Sequence, residues 1–287
     1  MKTIQTIAVI GATGMLGRHV THVLKREGFA VTAVVRDMQK AQRKLHPEIS
    51  LHKADLQSVG SLQTAFRDVD FVYLSLSTGP GEKKSGFKTE IDGVKNVIEA
   101  AKRTKVKRIG FLSSLVKDYD NDWWVFDIKR RAVQLLLEAD IPVTIFYPSN
   151  FYENITELQM SGRRIFLAGT QHTKSWWVGT QDYGKQVAAA FLQTHEENRE
   201  YPVQGPEPYN FEEAADIFNQ HYKYKKLKKL KAPLWILKLF SVLSSKVDFQ
   251  YRIVHAINNY DEEFKAQKTW QELGKPRQTL KNFAEQF

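Results

Sequence analysis

The sequence predicts an α/β fold: a Rossmann-type doubly wound parallel sheet with a smaller carboxyl-terminal α+β lobe. Three observations carry that prediction. Short β-branched runs alternate with longer helical patterns through the first half of the chain, the first apolar run ends in a glycine-punctuated turn, and the alternation breaks into shorter pieces beyond Pro148. Taken in order, Ile4 to Ile10 forms the first strand and Leu16 to Arg26 the helix after it. Val31 to Val35, Ser50 to Lys53, Phe71 to Ser75, Arg108 to Leu112 and Pro142 to Tyr147 supply five more strands, each bounded by turn residues, with a helix over Gly93 to Arg103. That makes a six-strand sheet.

After Pro148 the pattern predicts a helix near Tyr152 to Met160, a strand at Trp176-Trp177-Val178 and a helix from Gln181 to Gln193. Phe211 to Tyr222 reads as a further helix. Lys223, Lys225, Lys226, Lys228, Lys229 and Lys231 alternate with Leu227 and Leu230 as a strand with one solvated face. Pro233 opens a last apolar helix through Trp235, Ile236, Leu239, Phe240 and Leu243, expected to pack on the lobe, the alternative being that it lies with the lysine strand in a membrane interface.

Composition removes several function classes. The 287 residues contain no cysteine, so disulfides, thiolate metal sites and a cysteine nucleophile are excluded, and a cytoplasmic location is expected. No apolar run reaches the roughly 18 residues of a membrane span, and no secretory leader is expected at the amino terminus. The net charge of +10 is concentrated in the lysine strand, which lacks the interleaved aromatics of a nucleic-acid surface, so no nucleic-acid partner is expected. Histidines 19, 22, 46 and 52 do not show metal-ligand spacing, and no G-x-S-x-G elbow is present, so neither a metal site nor a serine hydrolase is expected.

The chemistry concentrates at Gly11-Ala12-Thr13-Gly14-Met15-Leu16-Gly17, directly after the first strand. The first glycine allows a tight turn, the second lets backbone N–H groups approach a pyrophosphate, and the third lets helix and strand pack closely. Its place inside a βαβ unit is the context that a dinucleotide-binding loop requires. Arg36 ends the second strand where NAD-binding domains more often carry an acid, which favours a 2′-phosphate and hence NADP(H), with NAD(H) the alternative if Asp37 takes the ribose. Asp55 and Leu56 follow the third strand, where they reach the adenine edge or Asp55 serves the next helix turn. Ser113 and Ser114 end the fifth strand near the cofactor, to hold a substrate oxygen or to cap the following turn. Trp123, Trp124, Phe126, Phe151, Tyr152, Trp176 and Trp177 either cover the cleft, suiting an apolar or aromatic substrate, or pack the core.

The glycine spacing, Arg36, Asp55-Leu56, Leu112-Ser113-Ser114 and the segment from Phe146 to Asn154 together resemble the NmrA-like group of atypical short-chain dehydrogenase/reductases. The least generic piece is Lys129, early in the helix before Ile141-Pro142-Val143, followed by the aromatic stretch Pro148 to Asn154. The resemblance implies NADP(H) or NAD(H) on the first glycine loop, a lysine touching the nicotinamide ribose, matched by Lys129, and substrate above the nicotinamide. Typical members of the superfamily carry a tyrosine four residues earlier as the acid; this chain has Val125 there. Lys129 is therefore expected either as the catalytic acid or base or as a ribose-binding lysine.

The expected cofactor contacts are Gly11, Thr13, Gly14, Met15, Leu16, Gly17, Arg36, Asp55, Leu56, Ser75, Leu76, Ser113, Lys129 and Tyr147, and the expected substrate contacts are Ser114, Asn150, Phe151, Asn154 and Trp177. Residues 1–150, with segments returning from the second half, form the NAD(P)-binding domain, and residues 151–287 the substrate lobe. The expected activity is NADP(H)-dependent oxidation or reduction of a small molecule. The alternative is a redox sensor that reads NADP+ against NADPH and signals to a regulatory protein partner.

Overall fold

The computed structural model describes residues 4–83, 85–193 and 196–287. Its central sheet holds seven strands: β1 (Thr6–Ile10), β2 (Ala30–Val35), β3 (Ser50–Lys53), β4 (Phe71–Leu74), β5 (Arg108–Leu112), β6 (Val143–Pro148) and β10 (Arg199–Val203). All pairings are parallel, in the order β10-β6-β5-β4-β1-β2-β3. The chain reverses its direction of travel between β1 and β4, which sets the switch point there.

The six strands read from the sequence are present, and a seventh joins them. Arg199-Glu200-Tyr201-Pro202-Val203 escapes a pattern search because it carries charge and a proline, which a sheet tolerates at an edge, where β10 sits beside β6.

Side-chain parity explains the two layers. Ile7 and Val9 of β1 face a core shared with α1 (Met15–Arg26), α2 (Met38–Lys44) and α6 (Thr180–Leu192). Ala8 and Ile10 face a second core shared with α3 (Val59–Ala65), α4 (Val94–Thr104) and α5 (Trp124–Leu137). A π-helical turn over Thr89–Gly93 leads into α4. On the α1/α6 side, fully buried Tyr73 and Tyr183 join hydroxyls at 2.7 Å, which ties β4 to α6. Burial pushes both phenols up, Tyr73 against the lowering effect of that bond.

The rest of the chain builds two small sheets. β7 (Met160–Ser161), β8 (Arg164–Ala168) and β12 (Lys228–Ala232) form one, and β9 (Ser175–Trp177) pairs antiparallel with β11 (Glu207–Tyr209) in the other. They pack with α7 (Phe211–His221) and α11 (Leu280–Ala284) on a third core around Tyr152, Trp177, Phe218 and Phe283. An Asn210–Glu213 capping box starts α7. α10 (Gln267–Leu273) lies against α6 and β10.

Three expectations need correction. The helix expected near Tyr152 to Met160 is short: helical residues Glu153 and Asn154 run into a π-helical turn over Ile155–Gln159. The lysine strand shortens to β12, with Leu227 buried before it and Lys229 and Lys231 paired with Asp216 and Glu212 of α7. The apolar helix α8 (Leu234–Ser241) lies beside α9 (Ser245–Asn259) but buries none of its own residues. No helix among the described residues is long and apolar enough to cross a membrane.

Candidate functional site

The glycine loop is built by close approach. Gly11 sits at φ +84°, a left-handed conformation, and a Cβ on it would stand 2.1 Å from the Ser75 carbonyl oxygen. A Cβ on Gly17 would stand 2.2 Å from the Gly11 carbonyl oxygen, so α1 reaches the loop only as glycine. Gly14 is the N-cap of α1, where no side chain caps the helix and no acid occupies the first turn. Such a helix start offers unshared N–H groups and partial positive charge to an anion.

This loop forms one wall of a cleft of about 380 Å³. Thr13, Arg36, Asp55, Leu56, Ser75 and Leu76 line it together with Gly11 and Gly14. Arg36 is exposed at the rim and makes no ion pair among the described residues. The neighbouring acid is occupied elsewhere: Asp37 caps α2, accepting from the Lys40 N–H at 2.9 Å. Asp55 lines the cleft and also accepts from the Gln57 N–H at 3.0 Å, so it serves the turn before α3 as well.

Leu76 and Ser77 also line a second cavity of about 230 Å³, so the two adjoin along the carboxyl edge of the sheet. Leu16, Ser113, Ser114, Lys129, Asn150, Phe151 and Asn154 meet here. Ser113 is buried and its Oγ has no hydrogen-bond partner among the described residues, which suits a ligand atom in the cavity. Ser114 lines the cavity and caps the 3-10 turn Leu115–Asp118, accepting from the Val116 N–H at 3.3 Å. Lys129 Nζ donates to Glu90 Oε1 at 2.9 Å; Glu90, in the π-helical turn, is fully buried and also accepts from the Thr78 N–H at 2.6 Å. The lysine is thus held from behind by a buried carboxylate.

Four expected contacts line neither cavity. Tyr147 does not line either cavity: strand parity turns its ring into the α3/α4/α5 layer, its hydroxyl donates to Glu200, and Lys117 Nζ lies 4.9 Å from its ring centroid. Trp177 is fully buried in the third core, where its Nε1–H donates to the Tyr209 carbonyl at 2.9 Å. Met15 does not line either cavity, and Gly17 contributes packing behind the loop rather than a wall. Of the seven aromatics, Phe151 alone lines the second cavity; Trp123 and Phe126 pack instead with Ala256 and Phe249 of α9. Val125, where a tyrosine would be the usual acid, is a buried member of that same cluster.

The sequence reading missed the walls that arrive from the far end of the chain. Ile253 and Ile257 of α9, Tyr260 and Glu262 all line the second cavity. Glu262 accepts from Ser149 Oγ at 2.8 Å, Gln204 Nε2 at 2.8 Å and the Trp176 N–H at 3.1 Å. Burial raises its carboxyl pKa above the usual range despite the lowering effect of those donors. No local periodicity marks a loop acid brought to a site by tertiary packing. Among the described residues, no cluster of histidine and acidic side chains is arranged to hold a metal ion.

A parallel sheet with a glycine loop at its switch point, an uncapped helix start and a two-part cleft along its carboxyl edge defines a Rossmann-type α/β protein. Within that class, the chain belongs to the NmrA-like family, whose model matches residues 3–281. It is 26% identical over 215 residues to a photosystem II assembly factor of Cyanophora paradoxa, across 74% of this chain and 66% of that protein. Among solved structures, a nucleoside-diphosphate-sugar epimerase from Staphylococcus aureus superposes with a TM-score of 0.74 at 19% identity, covering 98% of this chain and 100% of that one. An NADPH-dependent quinone oxidoreductase from Escherichia coli, complexed with NADPH, superposes with a TM-score of 0.72 at 21% identity, covering 98% and 99%. At these identities the structural likeness establishes the fold.

Proposed function

We propose that this protein is an NADP(H)-dependent oxidoreductase of small organic molecules, with residues 1–150 holding the dinucleotide and residues 151–287 closing the substrate cavity. The observation that carries the proposal is the shared wall of the two cavities at Leu76 and Ser77, with the unpaired Arg36 at one end and Lys129 and the unsatisfied Ser113 hydroxyl at the other. A dinucleotide fits these residues. Gly11, Gly14 and the start of α1 receive the pyrophosphate, Asp55 and Leu56 flank the adenine, and Arg36 pairs with a 2′-phosphate because Asp37 is committed to its cap. The E. coli quinone oxidoreductase complexed with NADPH supports the same choice of cofactor.

Bound NADPH supplies the hydride; the chain supplies position and a dry surface. Lys129, anchored on Glu90, keeps its remaining N–H groups for the nicotinamide ribose. Ser113 Oγ donates to the nicotinamide or to a substrate oxygen, and Ser114, Asn150 and Asn154 add polar contacts. Leu16, Phe151, Ile253 and Ile257 add an apolar wall, which suits an acceptor with an apolar or aromatic face. One observation favours a second reading, a non-catalytic sensor of NADP+ against NADPH: the position of the usual tyrosine acid is Val125, buried away from the cavity.

Calorimetric titration of NADPH, NADP+, NADH and NAD+ tests the cofactor, with Arg36→Asp expected to weaken the phosphorylated forms about ten- to a hundredfold, as loss of a charged hydrogen bond does. A quinone panel followed by loss of NADPH absorbance tests turnover, which Lys129→Ala should abolish. Binding of none of the four dinucleotides refutes the proposal. Unequal binding of NADP+ and NADPH without turnover of any acceptor transfers the conclusion to the sensor.

A further inference from the structure

We propose that the α8–α9 hairpin is a docking face for an anionic lipid bilayer, with the apolar side of α8 lying in the membrane interface. Trp235, Leu239, Phe240, Val242 and Leu243 are 63%, 60%, 51%, 82% and 78% exposed. Trp235, Leu239 and Val242 follow helical spacing, so they share one solvent-facing stripe, with Leu243 beside it. Isolated exposed apolar residues are ordinary, but five large ones within nine positions are a patch of the kind that marks a binding surface.

Charge identifies the occupant. From Lys223 to Lys246 the chain carries eight lysines and no aspartate or glutamate. Lys229 and Lys231 are paired with α7 acids, whereas Lys223, Lys225, Lys226, Lys228, Lys238 and Lys246 are exposed and make no ion pair among the described residues. Lys238 borders the apolar stripe on α8 itself, and Lys246 lies in the first turn of α9. Apolar side chains flanked by free lysines match an acyl boundary beneath anionic headgroups. A second copy of the chain fits worse, because a two-fold interface would bring together two lysine-rich patches of the same charge.

The hairpin also has an inner side. Ile253 and Ile257 of α9 line the second cavity, and Phe249 stacks edge-on against Trp123 at 4.9 Å between ring centroids. The element that docks is thus also a wall of the cavity. The docking proposal stands independently of the cofactor reading, since its readout needs neither dinucleotide nor turnover.

The test is cosedimentation of the full chain with phosphatidylcholine–phosphatidylglycerol vesicles and with pure phosphatidylcholine vesicles, at low and high salt. The expected result is binding to the anionic vesicles at low salt, weakened by salt, with little binding to phosphatidylcholine alone. Lys238→Gln and Lys246→Gln should each weaken it about fivefold. Combined Trp235→Ser, Leu239→Ser and Leu243→Ser should abolish it without changing the thermal melt, because all three residues are exposed. In the unsubstituted protein, brominated acyl chains should quench tryptophan emission, a loss that Trp235→Phe removes. Absence of sedimentation with anionic vesicles overturns the proposal, as does binding that survives the triple serine variant. A concentration-dependent dimer abolished by that variant, without vesicle binding, assigns the face to a second copy instead.

Discussion

Glu90→Gln is the sharpest test of how Lys129 is held. Glu90 is fully buried, Lys129 is 13% exposed, and their 2.9 Å contact is backed by the Thr78 N–H at 2.6 Å on the other carboxylate oxygen. The amide has one acceptor for these two donors, so either the ammonium or the Thr78 N–H faces an NH2 group. Removing one partner of a buried pair costs about 3–5 kcal/mol, a large share of the ~5–15 kcal/mol that holds a typical domain together. Urea denaturation followed by circular dichroism reads that loss. Lys129→Met should cost a comparable amount, and the double variant Glu90→Gln/Lys129→Met should cost less than the sum, with a coupling energy of about 0.5–3 kcal/mol. NADPH binding to Glu90→Gln should weaken in parallel, because the lysine loses its anchor. A loss below about 1 kcal/mol, the level of an ordinary neutral hydrogen bond, would show that the pair does not organise this wall and would refute the reasoning.

Gly17→Ala must displace α1 or the glycine loop, given the 2.2 Å approach to the Gly11 carbonyl, so calorimetry should find dinucleotide binding lost in a chain that keeps its circular dichroism spectrum. For Glu262, burial raises the folded-state carboxyl pKa, so its contribution to stability is present below the usual carboxylate range and is lost as pH rises through the raised value. Wild type should therefore fall in stability across that window relative to Glu262→Gln, and parallel urea-midpoint profiles would contradict the assignment. Asp70 has the opposite sign: burial acts to raise its carboxyl, but Lys107 and the two Thr6 donors outweigh it and hold the pKa low. Its contribution is present above the usual value and is lost as pH falls through the lowered one, so wild type and Asp70→Asn should converge in stability in strong acid.

Where the chain's information is local, the sequence was legible. The β1–glycine loop–α1 unit declares itself because an apolar strand, three glycines and an amphipathic helix are contiguous, and Arg36 and Asp55 follow from their places at strand ends. Tyr147 shows where closeness to a strand end misleads: period-two alternation sends Phe146 to one layer and Tyr147 to the other, away from the cleft. Trp177 was placed by aromatic character alone, yet its indole closes the third core. Glu262, Ile253 and Ile257 were invisible because no short-range pattern reports that a helix and loop more than a hundred residues after β5 complete its cavity. The side of α8 that stays in solvent was equally hidden, since helical periodicity describes a stripe but not what covers it.

The order in which the sheet is completed bears on synthesis. β10 and α6 come from beyond residue 179, yet β10 pairs with β6, and α6 seats Phe191 against Gly110 of β5 and Phe71 of β4. A nascent chain that has emerged only through Pro148 therefore carries an open strand edge at β6 and leaves bare the part of the apolar sheet face that α6 later covers. Both are templates for wrong association until about fifty more residues leave the ribosome, several seconds at common rates of translation. The returning segment acts as the closing latch of the fold, and ribosome-associated chaperones would be needed most in that interval.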